Sequence, residues 1–226
     1  MTKTQHARPD TVVLDLDGTL VDSNYAHVLA WRAAFLDVGL DVPAARLHRT
    51  VGMGGDRLVA HVAGDVVEQR LGDDVRARHA EHLDALLPTI TATSGATHLL
   101  EVLREHGFDV VLASSAGADL SGRLLERVPE SGHLLQELVT GSDAEQTKPS
   151  GELVEKALLK VDAGRAVVVG DTVWDVAAAQ DAGVPCVCVL TGGVPESELR
   201  EAGAVAVVRD VAELAEHVLD HGSLPL

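Results

Sequence analysis

Aromatic side chains are scarce: the 226 residues hold five, Tyr25, Trp31, Phe35, Phe108 and Trp174. A surface that stacks bases needs more of them. Basic residues are also few. Eighteen Lys and Arg face thirty-five Asp and Glu, giving a net charge of −17. Nucleic acid and anionic membranes repel such a chain, so neither is expected as a partner. Only two cysteines occur, Cys186 and Cys188, on one face of an apolar run. They read as buried free thiols in a reducing compartment. No apolar run approaches the roughly 18 residues of a membrane span. The opening Met-Thr-Lys-Thr-Gln-His has none of the apolar stretch of a secretory signal. A soluble cytoplasmic protein, monomeric or homodimeric, is the expectation.

Aliphatic residues, by contrast, are plentiful. Apolar residues make up 46% of the chain, enough for a sizeable core. The length suits one domain, or one core carrying a smaller insertion. Thr11-Val-Val-Leu-Asp-Leu-Asp17 is a short β-branched run that ends in carboxylates and Gly18, the pattern of a buried strand running into a turn. Residues 24–88 change character. Val28, Trp31, Phe35 and Val38 have helical spacing, and glycines and prolines divide the stretch into roughly four helices. Beyond residue 94, strands at 108–114, 137–140, 166–170, 184–190 and 204–208 alternate with helices at 98–106, 121–128, 152–161, 173–182, 196–201 and 211–221. This alternation implies an α/β fold with a doubly wound parallel sheet, covered on both faces.

Ligands of such a sheet bind beyond the carboxyl ends of its strands. The first strand delivers Asp15 and Asp17 there, the second Ser114 and Ser115, and the fourth Asp171, with Asp175 one turn on. Lys148 follows the third strand. Crowded carboxylates repel one another, and a fold tolerates them where a divalent cation binds. Asp oxygens are hard ligands suited to Mg²⁺, which also shares substrate phosphate oxygens. Asp15 and Asp17 point to the same side of their strand. One of them can attack while the other holds or takes a proton.

Four segments resemble the haloacid dehalogenase superfamily, in particular its phosphatase branch: Asp15-Leu-Asp-Gly-Thr-Leu-Val-Asp-Ser23, Val110-Val-Leu-Ala-Ser-Ser115, Lys148-Pro149 and Gly170-Asp-Thr-Val-Trp-Asp175. They occur in the family's order and cover nearly the whole chain. The helical insert resembles the four-helix cap of the β-phosphoglucomutase and phosphoglycolate phosphatase group. The resemblance implies a Rossmann-like core from residues 1–21 and 92–226, and a cap from residues 22–91. Hinges fit Leu20–Ser23 and Leu87–Ser94.

By position, the resemblance makes Asp15 the nucleophile that forms an aspartyl-phosphate and Asp17 the general acid and base. Asp15, the backbone carbonyl of Asp17, and Asp171 would hold Mg²⁺, with Asp175 a further ligand or a partner of one. Ser114 would bind the phosphoryl group; Lys148 would neutralise it and orient Asp15. Two departures stand out. Ser115 occupies a place where Asn is frequent, and Lys148-Pro-Ser-Gly-Glu-Leu153 replaces the commoner Lys-Pro-x-Pro-Asp. Asp17 argues against halide removal, whose enzymes usually lack an acid there.

The implied activity is Mg²⁺-dependent hydrolysis of a small phosphorylated metabolite. A phosphosugar mutase of the same fold is the alternative, and a catalytically silent acidic binding protein is a third reading. In the cap, His27 matches a histidine of the mutase and is a candidate substrate or proton contact. Arg49 and Arg57 flank Val51-Gly-Met-Gly-Gly55 and are candidates for a substrate anion. That glycine stretch reads as a helix–helix turn or a substrate loop. His79 and His82 read as surface histidines, and Trp174 as core packing, with the site wall or the cap hinge as its alternative place.

Overall fold

The computed structural model describes residues 9–226. The opening segment read above for a secretory signal lies outside the described residues. Six strands form one parallel sheet: β1 Thr11–Leu14, β2 Asp109–Ala113, β3 Glu137–Val139, β4 Ala166–Gly170, β5 Cys186–Val189 and β6 Ala206–Val208. Their order across the sheet is β3-β2-β1-β4-β5-β6. The order reverses between β1 and β4, which pair in register from Thr11 with Ala166 to Leu14 with Val169. A doubly wound sheet opens its ligand crevice at this switch point.

Period-two alternation sends each strand's side chains into two separate cores. Val12, Leu14, Val110, Leu112, Val167, Val169, Val187 and Val189 face one of them. Val13, Val111, Ala113, Val168, Cys186 and Cys188 face the other. The cysteines are free and buried, with their sulfurs 3.8 Å apart. Leu16 continues the first face, which leaves Asp15 on the other side of the chain.

Four helices follow β1: α1 Asn24–Asp37, α2 Ala44–His48, α3 Gly55–Ala63 and α4 Asp65–Leu86. They enclose a third core of their own, built around Trp31, Phe35, Leu47, Leu58, Val59 and Val75. The chain leaves the sheet and returns to it side by side, since Val21 bridges Asp17 and, antiparallel, Ala92. The remaining helices cover the sheet: α5 Ala96–Glu105, α6 Ala118–Leu125, α7 Ser131–Leu134, α8 Glu152–Lys160, α9 Val173–Asp181, α10 Glu196–Ala202 and α11 Val211–His221. Helices α5 and α11 supply apolar residues to the first core, α8 and α9 to the second. Strand ends fall within a few residues of the sequence expectation, which did not include α7. Among the described residues, no helix is long and apolar enough to cross a membrane.

Candidate active site

Asp15 and Asp171 lie just past the ends of β1 and β4, on either side of the switch point, and α9 brings Asp175 beneath them. One oxygen of each carboxylate lies within 4.8 Å of the others. All three side chains are buried. A single cation, Lys148, sits among them: its Nζ donates to Asp15 Oδ1 and lies 2.6 Å from Asp175 Oδ1. The second contact is an ion pair without hydrogen-bond alignment. Asp175 Oδ2 accepts from the backbone N–H and hydroxyl of Thr172, so Asp175 also closes the capping box that starts α9. Three carboxylates against one ammonium leave a buried excess of negative charge. Burial pushes the Asp15 carboxyl up to about 7, with Asp175 and Asp17 adding to the rise against the pull of Lys148. Burial, Asp175 and Asp15 likewise push Asp171 well above the usual carboxylate range. Lys148 is held protonated: Asp15 and Asp175 outweigh the burial that opposes its charge.

The donor set suits a small divalent cation. Asp171 accepts from Thr19 Oγ1 and, at 2.7 Å, from Asn24 Nδ2. Asn24 Oδ1 is buried without a hydrogen-bond partner among the described residues, as an acceptor left for an ion's water would be. Close approach is bought with glycine: a Cβ on Gly18 or Gly192 would collide with Asp171 Oδ2, and Gly18 has a φ of +78°.

Above the cluster is a cavity of about 230 Å³ between core and cap. Asp15 and Asp17 line it from the core; His27, Trp31, Met53, Arg76 and His79 line it from the cap. Asp17 Oδ1 takes hydrogen bonds from Ser23 Oγ and, at 3.1 Å, from His27 Nε2. Burial works to raise the Asp17 pKa, but His27, Ser23 and Lys148 outweigh it and hold it below the usual range.

A family model for haloacid dehalogenase-like hydrolases matches residues 9–183. The chain belongs to this family of enzymes. Among curated relatives of this hydrolase is a plasmid-encoded phosphoglycolate phosphatase of Cupriavidus necator, 33% identical over 80% of both chains. A phosphoglycolate phosphatase of Rhodospirillum rubrum is 31% identical over 92% of this chain and 90% of its own. The crystal structure of a hydrolase from Pseudomonas syringae superposes with a TM-score of 0.88 at 30% identity, covering 93% of this chain and 98% of the other.

The hydrolase departs from several sequence expectations around the cavity. Arg49 points outward to Glu198, at 3.4 Å, and contributes only its carbonyl to Trp174 Nε1. Arg57 turns to Gln146. Neither arginine lines the cavity; Arg76 does, on α4, clamped by Glu68 and Asp73 and donating to the Gly55 carbonyl. Trp174 lies at the seam with the cap, edge-on to His61, rather than in the core. Ser114 is fully buried, and its Oγ accepts from the Ala116 N–H; Ser115, Ala116 and Gly117, leading into α6, line the cavity instead. The glycine stretch forms part of the cavity wall.

His79 is not a surface residue. It is buried, 3.1 Å from His27 and stacked on Trp31 with ring centres 3.8 Å apart. Its signal was in the sequence: Val75, His79 and Leu83 recur every fourth residue and form the buried stripe of α4. His82 falls off that stripe and pairs with Asp37.

Proposed function

We propose that the protein is a Mg²⁺-dependent phosphatase that hydrolyses a small phosphomonoester through an aspartyl-phosphate on Asp15. The observation that carries this reading is the placement of Asp15 on the cavity floor, oriented by Lys148, with Asp17 beside it on the same cavity. A carboxylate oxygen of Asp15 attacks phosphorus, and the bond from phosphorus to the ester oxygen breaks. Asp17, which takes up a proton when the phosphate anion binds beside it, gives that proton to the departing oxygen. It then takes a proton from the water that hydrolyses the acyl phosphate and frees inorganic phosphate. Lys148 and the N–H groups leading into α6 offset the phosphoryl charge.

Asp15, Asp171 and the Asp17 carbonyl would hold Mg²⁺, with Asp175 securing Lys148. When bound, the ion neutralises phosphoryl charge and orients the group toward Asp15. The cavity volume, at the low end for ligand sites, favours a leaving group of a few heavy atoms. The identity of 33% and 31% to two phosphoglycolate phosphatases supports a small phosphomonoester of that kind.

Release of inorganic phosphate is expected from p-nitrophenyl phosphate and from small alkyl phosphomonoesters with Mg²⁺, and is abolished by EDTA. No release across a broad panel would leave the acidic binding protein as the reading. Activity indifferent to EDTA would remove the metal. Gly192→Ala, whose Cβ displaces Asp171, is expected to raise the Mg²⁺ concentration for half-maximal activity about 10–100-fold and to lower the melting temperature, since the displaced carboxylate loses its bonds to Thr19 and Asn24. A Mg²⁺ titration measures this.

A further inference from the structure

Three groups form a continuous hydrogen-bonded chain from the core into the cap. Asp17 Oδ1 lies 3.1 Å from His27 Nε2, and His27 Nδ1 lies 3.1 Å from His79 Nε2. Trp31, one turn beyond His27 on α1, backs the far imidazole with its indole face. Both histidines are about nine-tenths buried and line the cavity. Proton counting sets the direction of the first bond. A carboxylate oxygen only accepts, so His27 Nε2 carries a hydrogen. His27 Nδ1 and His79 Nε2 share one hydrogen between them, so each ring holds the other in place. Burial holds the His79 pKa well below the ordinary value, and the neighbouring His27 adds to the fall, so His79 enters this bond as a neutral imidazole.

The consequence falls on Asp17. Ser23 and His27 both donate to Oδ1, and neither bond uses Oδ2. An oxygen that accepts two hydrogen bonds is a poor place for a proton. A protonated Asp17 therefore carries its hydrogen on Oδ2.

Building on the phosphatase reading above, we propose that His79 is a positioning residue: it anchors His27 against Asp17 Oδ1 and thereby assigns Oδ2 as the oxygen that exchanges protons with the leaving group and then with water. The proton on Oδ2 passes to the ester oxygen as its bond to phosphorus breaks, and a proton from the attacking water returns to Oδ2. His27 and His79 end each turnover as they began it.

The test compares kcat/KM on p-nitrophenyl phosphate, whose leaving group departs without a proton, with that on the alkyl phosphomonoester turned over fastest. His79→Phe keeps a ring against Trp31 but has no N–H. It is expected to lower kcat/KM on the alkyl ester about 10–100-fold, and on p-nitrophenyl phosphate by no more than about threefold. His79→Gln restores an N–H and is expected to stay within about threefold of wild type on both esters. Equal losses on the two esters, no loss on the alkyl ester, or a Gln variant no better than Phe would overturn the inference while leaving the phosphatase reading intact. If His79→Phe does not fold, His79→Gln decides alone: near-wild-type kcat/KM on the alkyl ester supports the inference, and a loss above about tenfold in a folded variant overturns it. A wild-type protein that releases phosphate from neither ester overturns both.

Discussion

Asp15→Asn is expected to lower turnover by about 10⁴-fold or more, because the amide cannot attack phosphorus and nothing else on the cavity floor replaces the carboxylate. The same change is expected to stabilise the metal-free protein. Asp15 titrates near 3.8 when unfolded and at about 7 in the fold. Its ionisation therefore opposes folding, increasingly as the pH rises from about 4 to about 7, and the full penalty is present above that window. Asparagine has no such penalty. Thermal unfolding without Mg²⁺ should give the variant a higher melting temperature than wild type at pH 7.5, with the gap closing toward pH 4. A variant that melts lower at every pH would mean that the lost bond to Lys148 outweighs the relieved repulsion. Residual turnover near wild type would refute the nucleophile.

Lys148→Met has the opposite sign for stability. It removes the one ammonium from three buried carboxylates and keeps most of the unbranched apolar stem of the side chain. Breaking a buried pair from one side costs about 3–5 kcal/mol, and that loss is expected in denaturant unfolding at neutral pH without metal. At pH 5 the loss shrinks, because Asp15 already holds its proton there and burial favours the protonated form of Asp171 as well. Mg²⁺ should recover part of it by replacing the missing positive charge. Turnover falls as well, by about 10²–10³-fold, since the phosphoryl group loses a fixed cation. A change in stability below about 1 kcal/mol at neutral pH would show that the carboxylates are not repelling one another as the geometry implies.

The core was legible because its signals are local. Strands such as Thr11–Leu14 and Ala166–Gly170 are short, β-branched, largely apolar runs, and Asp15 and Asp171 follow them directly in the chain. Parallel winding then brings Asp15 and Asp171 together whatever the details of the helices. The cap was less legible, since what it presents to the cavity depends on how α1, α3 and α4 pack on one another and on the core. Arg49 and Arg57 were singled out for flanking a glycine turn, yet that turn packs its backbone on the core and sends both side chains to polar partners outside. A Cβ on Gly54 would strike Thr147, which shows how closely the turn is seated. Arg76 carried no distinguishing pattern within a helix rich in charge. Trp174 sits next to Asp175 in sequence, but the helix turn that buries the acid directs the indole to the seam.

The inserted helices leave and rejoin the sheet through neighbouring segments at Val21 and Ala92, and they enclose apolar residues of their own. A substitution packed inside that third core therefore reshapes the upper wall of the cavity while the acid-bearing edge of the sheet beneath it keeps its own supports.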